Sequence, residues 1–133
     1  MARALKRYER ILNTSILSNE IVVSSSDTLD ADECSGTLIN NYGQTDDMVI
    51  TLPVASEGMG FTIVLGTTVA KYVRIDPNAS DKIYLDGVAD SDGHYVGIAS
   101  AVAGATIQFK AFQVGEGAYD WYANVVSGAW VME

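Results

Sequence analysis

Cys34 and His94 are the one cysteine and the one histidine of this 133-residue chain, sixty positions apart. A thiol–imidazole nucleophilic pair therefore needs the fold to bring these two together. His94 closes the turn-like run Ser91-Asp92-Gly93-His94, where an exposed imidazole needs no catalytic partner, and Cys34 reads as a small buried side chain. A single Cys and a single His do not make a zinc set. Asp86, Asp90 and Asp92 crowd the segment DGVADSDGH, and hard carboxylate oxygens of this kind hold Ca²⁺. Asp90-Ser91-Asp92-Gly93 is like a fragment of a calcium loop, but the twelfth position counted from Asp90 is Ala101 rather than the closing Glu, so a solvated hairpin tip is the expectation. Tyr84, Tyr95, Tyr119, Trp121, Tyr122 and Trp130 can stack on sugars, although aromatics in strands more often fill cores or subunit contacts. No paired glutamates suggest a glycosidase and no Gly-rich loop ends in Lys-Ser/Thr. The chemistry points to a protein that is not an enzyme and uses no cofactor or metal.

The first ten residues are different in kind from the rest. Arg3, Lys6, Arg7 and Arg10 stand there against one acidic residue, a formal charge of +3, whereas residues 11 to 133 hold four basic against sixteen acidic residues, −12. Leu5, Tyr8, Ile11 and Leu12 recur at helical spacing with the basic residues mostly elsewhere on the wheel. Either a short amphipathic helix or an extended arm follows, since Asn13, Thr14 and Ser15 stop a helix early. In both cases these eight residues, Arg3, Leu5, Lys6, Arg7, Tyr8, Arg10, Ile11 and Leu12, are the expected partner-binding set. An acidic body repels phosphates, so the expected partner of the arm is a protein and not nucleic acid.

An arm over residues 1–19 and a single β-domain over residues 20–133 account for the whole chain. The length suffices for one core without disulfide or metal support. At 48% hydrophobic and 19% charged residues there is apolar surface to spare for subunit contacts. No run reaches a membrane span and the N-terminus lacks a signal-peptide core, so a soluble product made in the cytoplasm is expected.

The elements that position these residues read as strands. Ile21 to Ser25 is β-branched and leads into a polar loop, as a loop or weak edge strand. Strands are predicted near Gly36–Asn40, Met48–Leu52, Phe61–Leu65, Tyr72–Ile75, Lys82–Leu85, Tyr95–Ile98, Ala105–Phe112, Trp121–Val126 and Ala129–Met132. Met48, Ile50 and Leu52 share one face, as do Ala105, Ile107, Phe109 and Ala111. Phe112 and Val114 depart from that phase, which predicts a bulge or strand end near Ala111 and Phe112. Turns are marked by Pro53 and Gly58, Asp76-Pro77-Asn78, Asp86-Gly87, Asp92-Gly93, Gly115, Gly117 and Ser127-Gly128. The stretch from Asp47 to Gly87 reads as a meander. The whole reads as an all-β, antiparallel sandwich or jelly-roll-like domain.

Ile50, Leu52 and Pro53, then Gly58 or Gly60, then Ile75 and Pro77, then Asp81 and Ile83, and finally Trp121, Tyr122 and Trp130 form a longer pattern. It resembles a β-rich domain recurrent in tailed-bacteriophage virion proteins: capsid decoration proteins, head fibres and tail-fibre modules. The resemblance covers roughly residues 46 to 130 and omits the basic arm. It implies a structural protein on the capsid surface of a virion, a homotrimer bound to the major capsid protein; the arm, on the strength of its own residues, is the expected contact, and no membrane or nucleic-acid partner is expected. The alternative, from another class, is a receptor- or glycan-binding tail-fibre module in which exposed Tyr and Trp residues at a loop end do the recognition.

Overall fold

The computed structural model describes residues 19–89 and 94–133. Twelve strands are described: β1 (Glu20–Val22), β2 (Asp27–Thr28), β3 (Ser35–Asn40), β4 (Met48–Thr51), β5 (Gly60–Val64), β6 (Val73–Asp76), β7 (Ile83–Leu85), β8 (Val88–Ala89), β9 (Val96–Ile98), β10 (Thr106–Gly115), β11 (Ala118–Ser127) and β12 (Val131–Met132). A single 3-10 turn, Asp32–Cys34, precedes β3. All nine predicted strand ranges overlap a strand, and the β-branched segment after Glu20 begins with β1. The two-residue β2 and β8 are too short to carry an alternation. No helix among the described residues is long and apolar enough to cross a membrane.

The strands form two sheets in a sandwich-like arrangement, one in the order β1-β3-β5-β10-β11-β7-β8 and the other β12-β9-β6-β4-β2. Alternation builds the core between them. β4 and β6 each bury every second residue, Met48 and Ile50 on one, Val73 and Ile75 on the other. In the larger sheet Ile39, Phe61, Ile63, Ile107, Phe109, Trp121 and Ile83 join the same buried cluster. Phe61 and Phe109 face each other in register and stack with ring centroids 5.0 Å apart.

The expected antiparallel pairing is corrected: both sheets are mixed. Among the described residues β1/β3, β3/β5, β2/β4, β4/β6 and β7/β11 are parallel. The meander over Asp47–Gly87 is corrected with it, because β4 and β6 lie in one sheet while β5 and β7 lie in the other. From β1 to β6 the chain changes sheet at every step, so the first half is wound like three coils of a solenoid. The reason is the length of the links. Residues 41–47, 52–59 and 65–72 are too long for a tight hairpin and long enough to cross the ~10 Å between sheets. Two-residue turns return the chain antiparallel at Asp86-Gly87, between β7 and β8, and at Glu116-Gly117, between β10 and β11. At Asp86 φ is 49° and at Gly87 93°, the left-handed pair a two-residue hairpin requires. β9 and β10 then lie antiparallel on β6 and β5, the last strands of the wind.

Buried side-chain hydrogen bonds fasten the corners of successive coils. Asn41, 1% exposed, accepts at Oδ1 from the N–H groups of Gly66 (2.8 Å) and Thr67 (3.0 Å). Its Nδ2 donates to Gln44 Oε1 (2.8 Å) and Thr67 O (3.1 Å). Gln44 Nε2 in turn donates to Asp46 O and Tyr72 O. At the opposite corner the buried Asp81 accepts from Ala55 N–H (2.9 Å) through Oδ2.

Candidate functional site

The eight arm residues expected to bind a partner, Arg3, Leu5, Lys6, Arg7, Tyr8, Arg10, Ile11 and Leu12, lie outside the described residues, as do Asp90 and Asp92. The third member of that acidic trio, Asp86, forms the β7–β8 turn, and its Oδ1 accepts from Val125 N–H (3.1 Å). Its carboxylate therefore pins the hairpin to β11. Among the described residues no three His, Cys, Asp or Glu side chains gather as a metal centre needs.

Cys34 is fully enclosed at the end of the 3-10 turn. Burial first, then the carboxylates of Glu33 and Asp30, push its thiol up to about 12. A thiol held protonated is a poor nucleophile, so the Cys–His reading loses its attacking group, while His94 lies exposed. The linkage follows from a folded value above the ordinary 9.0. Below pH ~9 folded and unfolded thiols are both protonated and the contribution is constant; as pH rises toward about 12 the unfolded thiol ionises first and stability is lost. In native buffer at pH 8 a thiol reagent is expected to leave Cys34 unmodified over hours, with rapid labelling once urea unfolds the chain, as mass spectrometry can record. Rapid labelling of the folded protein would contradict the enclosed placement.

The six aromatics separate into three environments. Trp121 and Trp130 are core residues, with Trp130 Nε1 donating to Ser127 O (3.0 Å), and Tyr119 packs half-buried against the core. Tyr95 covers one side of Arg74, its ring centre 4.6 Å from the guanidinium carbon, while Tyr72 covers it at 4.0 Å. Gly97 makes room for this stack: a Cβ there would stand 3.2 Å from Arg74 Cγ and 2.9 Å from Val73 O.

Tyr84 and Tyr122 come together on the outer face of the larger sheet, and Phe112 joins them. Phe112 meets Tyr84 edge to face at 5.1 Å and Tyr122 at 6.2 Å. The sequence misses Phe112 because its apparent break of phase suggests a bulge. In the structure β10 runs on to Gly115 with its register irregularities at Thr106/Ile107 and Gln113/Gly115, on either side of Phe112, so Phe112 keeps the alternation and points away from the core. What could have exposed the cluster in the sequence is the alternation itself, carried one residue further. Strand register places Gly60, Lys110, Tyr122 and Tyr84 in one row across β5, β10, β11 and β7. Beside it run Leu38, Thr62, Gln108 and Asn124. Over Gly60 the surface dips into a groove of about 560 Å³ lined by Gly36, Gly58, Thr62, Gln108 and Lys110 among others.

Neither the scan against protein-family models nor the search of curated proteins returns a match for this chain. The residues of the phage-like pattern have folding roles here: Ile50, Leu52, Ile75, Ile83, Trp121 and Trp130 are buried, Gly58 has φ 86°, and Asp81 holds a corner.

Proposed function

We propose that this chain is a non-enzymatic structural protein of a virus particle: a capsid decoration or head-fibre protein that binds the major capsid protein and stabilises the shell as a homo-oligomer, most simply a homotrimer. The observation that carries this reading is where the arm meets the body. Asn19 and Glu20 are exposed, and Glu20 begins β1, a rim strand of the larger sheet. The four clustered basic residues all precede that rim, and the acidic body follows it. Charge is thus segregated toward the N-terminal end of the sequence, a pattern suited to an acidic partner surface. Buried Cys34 and the structural duties of Asp81 and Asp86 favour a scaffold over a catalyst, and the resemblance supplies the virion context.

Mechanically, Leu5, Tyr8, Ile11 and Leu12 bury against the shell or a neighbouring subunit while Arg3, Lys6, Arg7 and Arg10 pair with its carboxylates. Binding to the intact shell alone raises the temperature at which it opens. A chain beginning at Glu20 is expected to fold yet bind purified shells at least ~10-fold more weakly, a loss of about 1.4 kcal/mol, and to leave their disruption temperature unchanged. Equal affinity of the shortened and full chains, measured by co-sedimentation, sinks the proposal.

A further inference from the structure

We propose that the outer face of the seven-stranded sheet is an oligosaccharide-binding site, with Tyr122 as the stacking platform and Thr62, Gln108 and Asn124 as the side chains that read hydroxyl groups. The assignment rests on what strand register brings side by side and requires nothing of the arm. A sugar ring presents C–H faces and a rim of hydroxyls, so a site for it needs a flat apolar surface beside neutral groups that both donate and accept. Tyr122 is 39% exposed and supplies the first. The amides of Gln108 and Asn124, opposite one another on β10 and β11, supply the second, since each offers two donors and a carbonyl acceptor.

The arrangement is built in advance. Phe112 props Tyr122 and Tyr84 edge to face, so less side-chain freedom is lost on binding. The row from Gly60 to Tyr84 crosses three strand spacings, ~14 Å, which suits an oligosaccharide better than a single ring. The groove over Gly60 gives the near end depth. Charge narrows the ligand further. Lys110 is the cation of the two rows, and Glu20, in register with Leu38 on β1, is the carboxylate at the far end of the second, a balance that favours neutral glycans, while the chain's net −9 opposes nucleic acid. A protein partner is the less favoured occupant because the second row is mainly uncharged polar, where interface centres are apolar.

The test uses the full-length chain. It is applied to a broad glycan array and titrated with maltohexaose, cellohexaose and chitohexaose while amide chemical shifts are followed. Binding to array glycans or to a hexasaccharide is expected, with shifts concentrated at Gly60, Thr62, Gln108, Lys110 and Tyr122. Tyr122→Ala, at an exposed position, should keep the amide spectrum of the fold and weaken that binding about tenfold. Gln108→Ala should weaken it less, and Tyr42→Ala, an exposed tyrosine outside both rows, should bind as the native chain does. A blank array with no shifts, shifts mapping elsewhere, or native binding by Tyr122→Ala overturns the proposal. So does a Tyr122-dependent change in oligomeric mass without any sugar response, which would make this face a protein interface.

Discussion

Trp121→Ala is expected to destabilise the protein by about 3–5 kcal/mol, a large share of the ~5–15 kcal/mol that holds a domain of this size. Trp121 is completely buried in β11 and meets Phe61 and Phe109 edge-on, at 5.7 and 6.5 Å. Those two rings already stack on each other, so the indole closes a three-ring unit spanning β5, β10 and β11. Removing it opens a cavity whose walls are β-strands fixed by their ladders, which collapse poorly. Trp121→Phe separates two contributions. The indole Nε1 is buried with no hydrogen-bond partner, so Phe gives up volume but also removes an unsatisfied donor. A cost of about 1 kcal/mol or less is expected for that variant. Urea unfolding followed by far-ultraviolet circular dichroism measures both; a loss below ~1 kcal/mol for Trp121→Ala would mean the ring unit does not carry the core.

Asn41→Leu is expected to cost about 3 kcal/mol although the new side chain has the same number of heavy atoms, the same branching and better hydropathy. The substitution leaves Thr67 N–H, Thr67 O and Gln44 Oε1 without the partner Asn41 gave them, each at roughly 1 kcal/mol or more. Gly66 N–H keeps only its longer contact to Asn40 Oδ1, at 3.1 Å. Asn41→Asp, which preserves the acceptor but sets a buried carboxylate oxygen against the acceptors Gln44 Oε1 and Thr67 O, should cost at least as much. Hydrogen exchange gives a sharper readout than the melting point. Protection at Gly66 and Thr67 should collapse first, because the corner between β5 and β6 loses its anchor to the corner between β3 and β4. If the Asn41→Leu substitution proved neutral, the buried amide would be filling space and the coils would be held by their ladders alone.

The contrast between these two sites shows what can be read from one sequence. Trp121 announces itself as a strand aromatic, and its burial needs only the alternation of β11. Asn41 stands in Asn-Asn-Tyr-Gly-Gln, which reads as a polar turn; that its amide is enclosed depends on residues 66 and 67, brought there by the next coil. Phe112 is a third case. Its side of the sheet follows from alternation, but its neighbours Tyr84 and Tyr122 come from β7 and β11, so the outer cluster exists only once strand order is known. The arm residues offer no such comparison, since their partner-binding role is a matter for the shell-binding experiment.

By itself the sequence determined the all-β class, the positions of nine strands and most turns, and the buried face of the long ones. These properties are local: period-two alternation sets the face, and Gly, Pro, Asn and Asp set the reversals. Tertiary structure alone decided strand direction and order, because alternation is identical in parallel and antiparallel ladders. Links that cross the sandwich in place of hairpins wind β1 to β6 in parallel and enclose Asn41, while β10 docked antiparallel on β5, with β11 and then β7 beyond it, lines up Gly60, Lys110, Tyr122 and Tyr84 on one face.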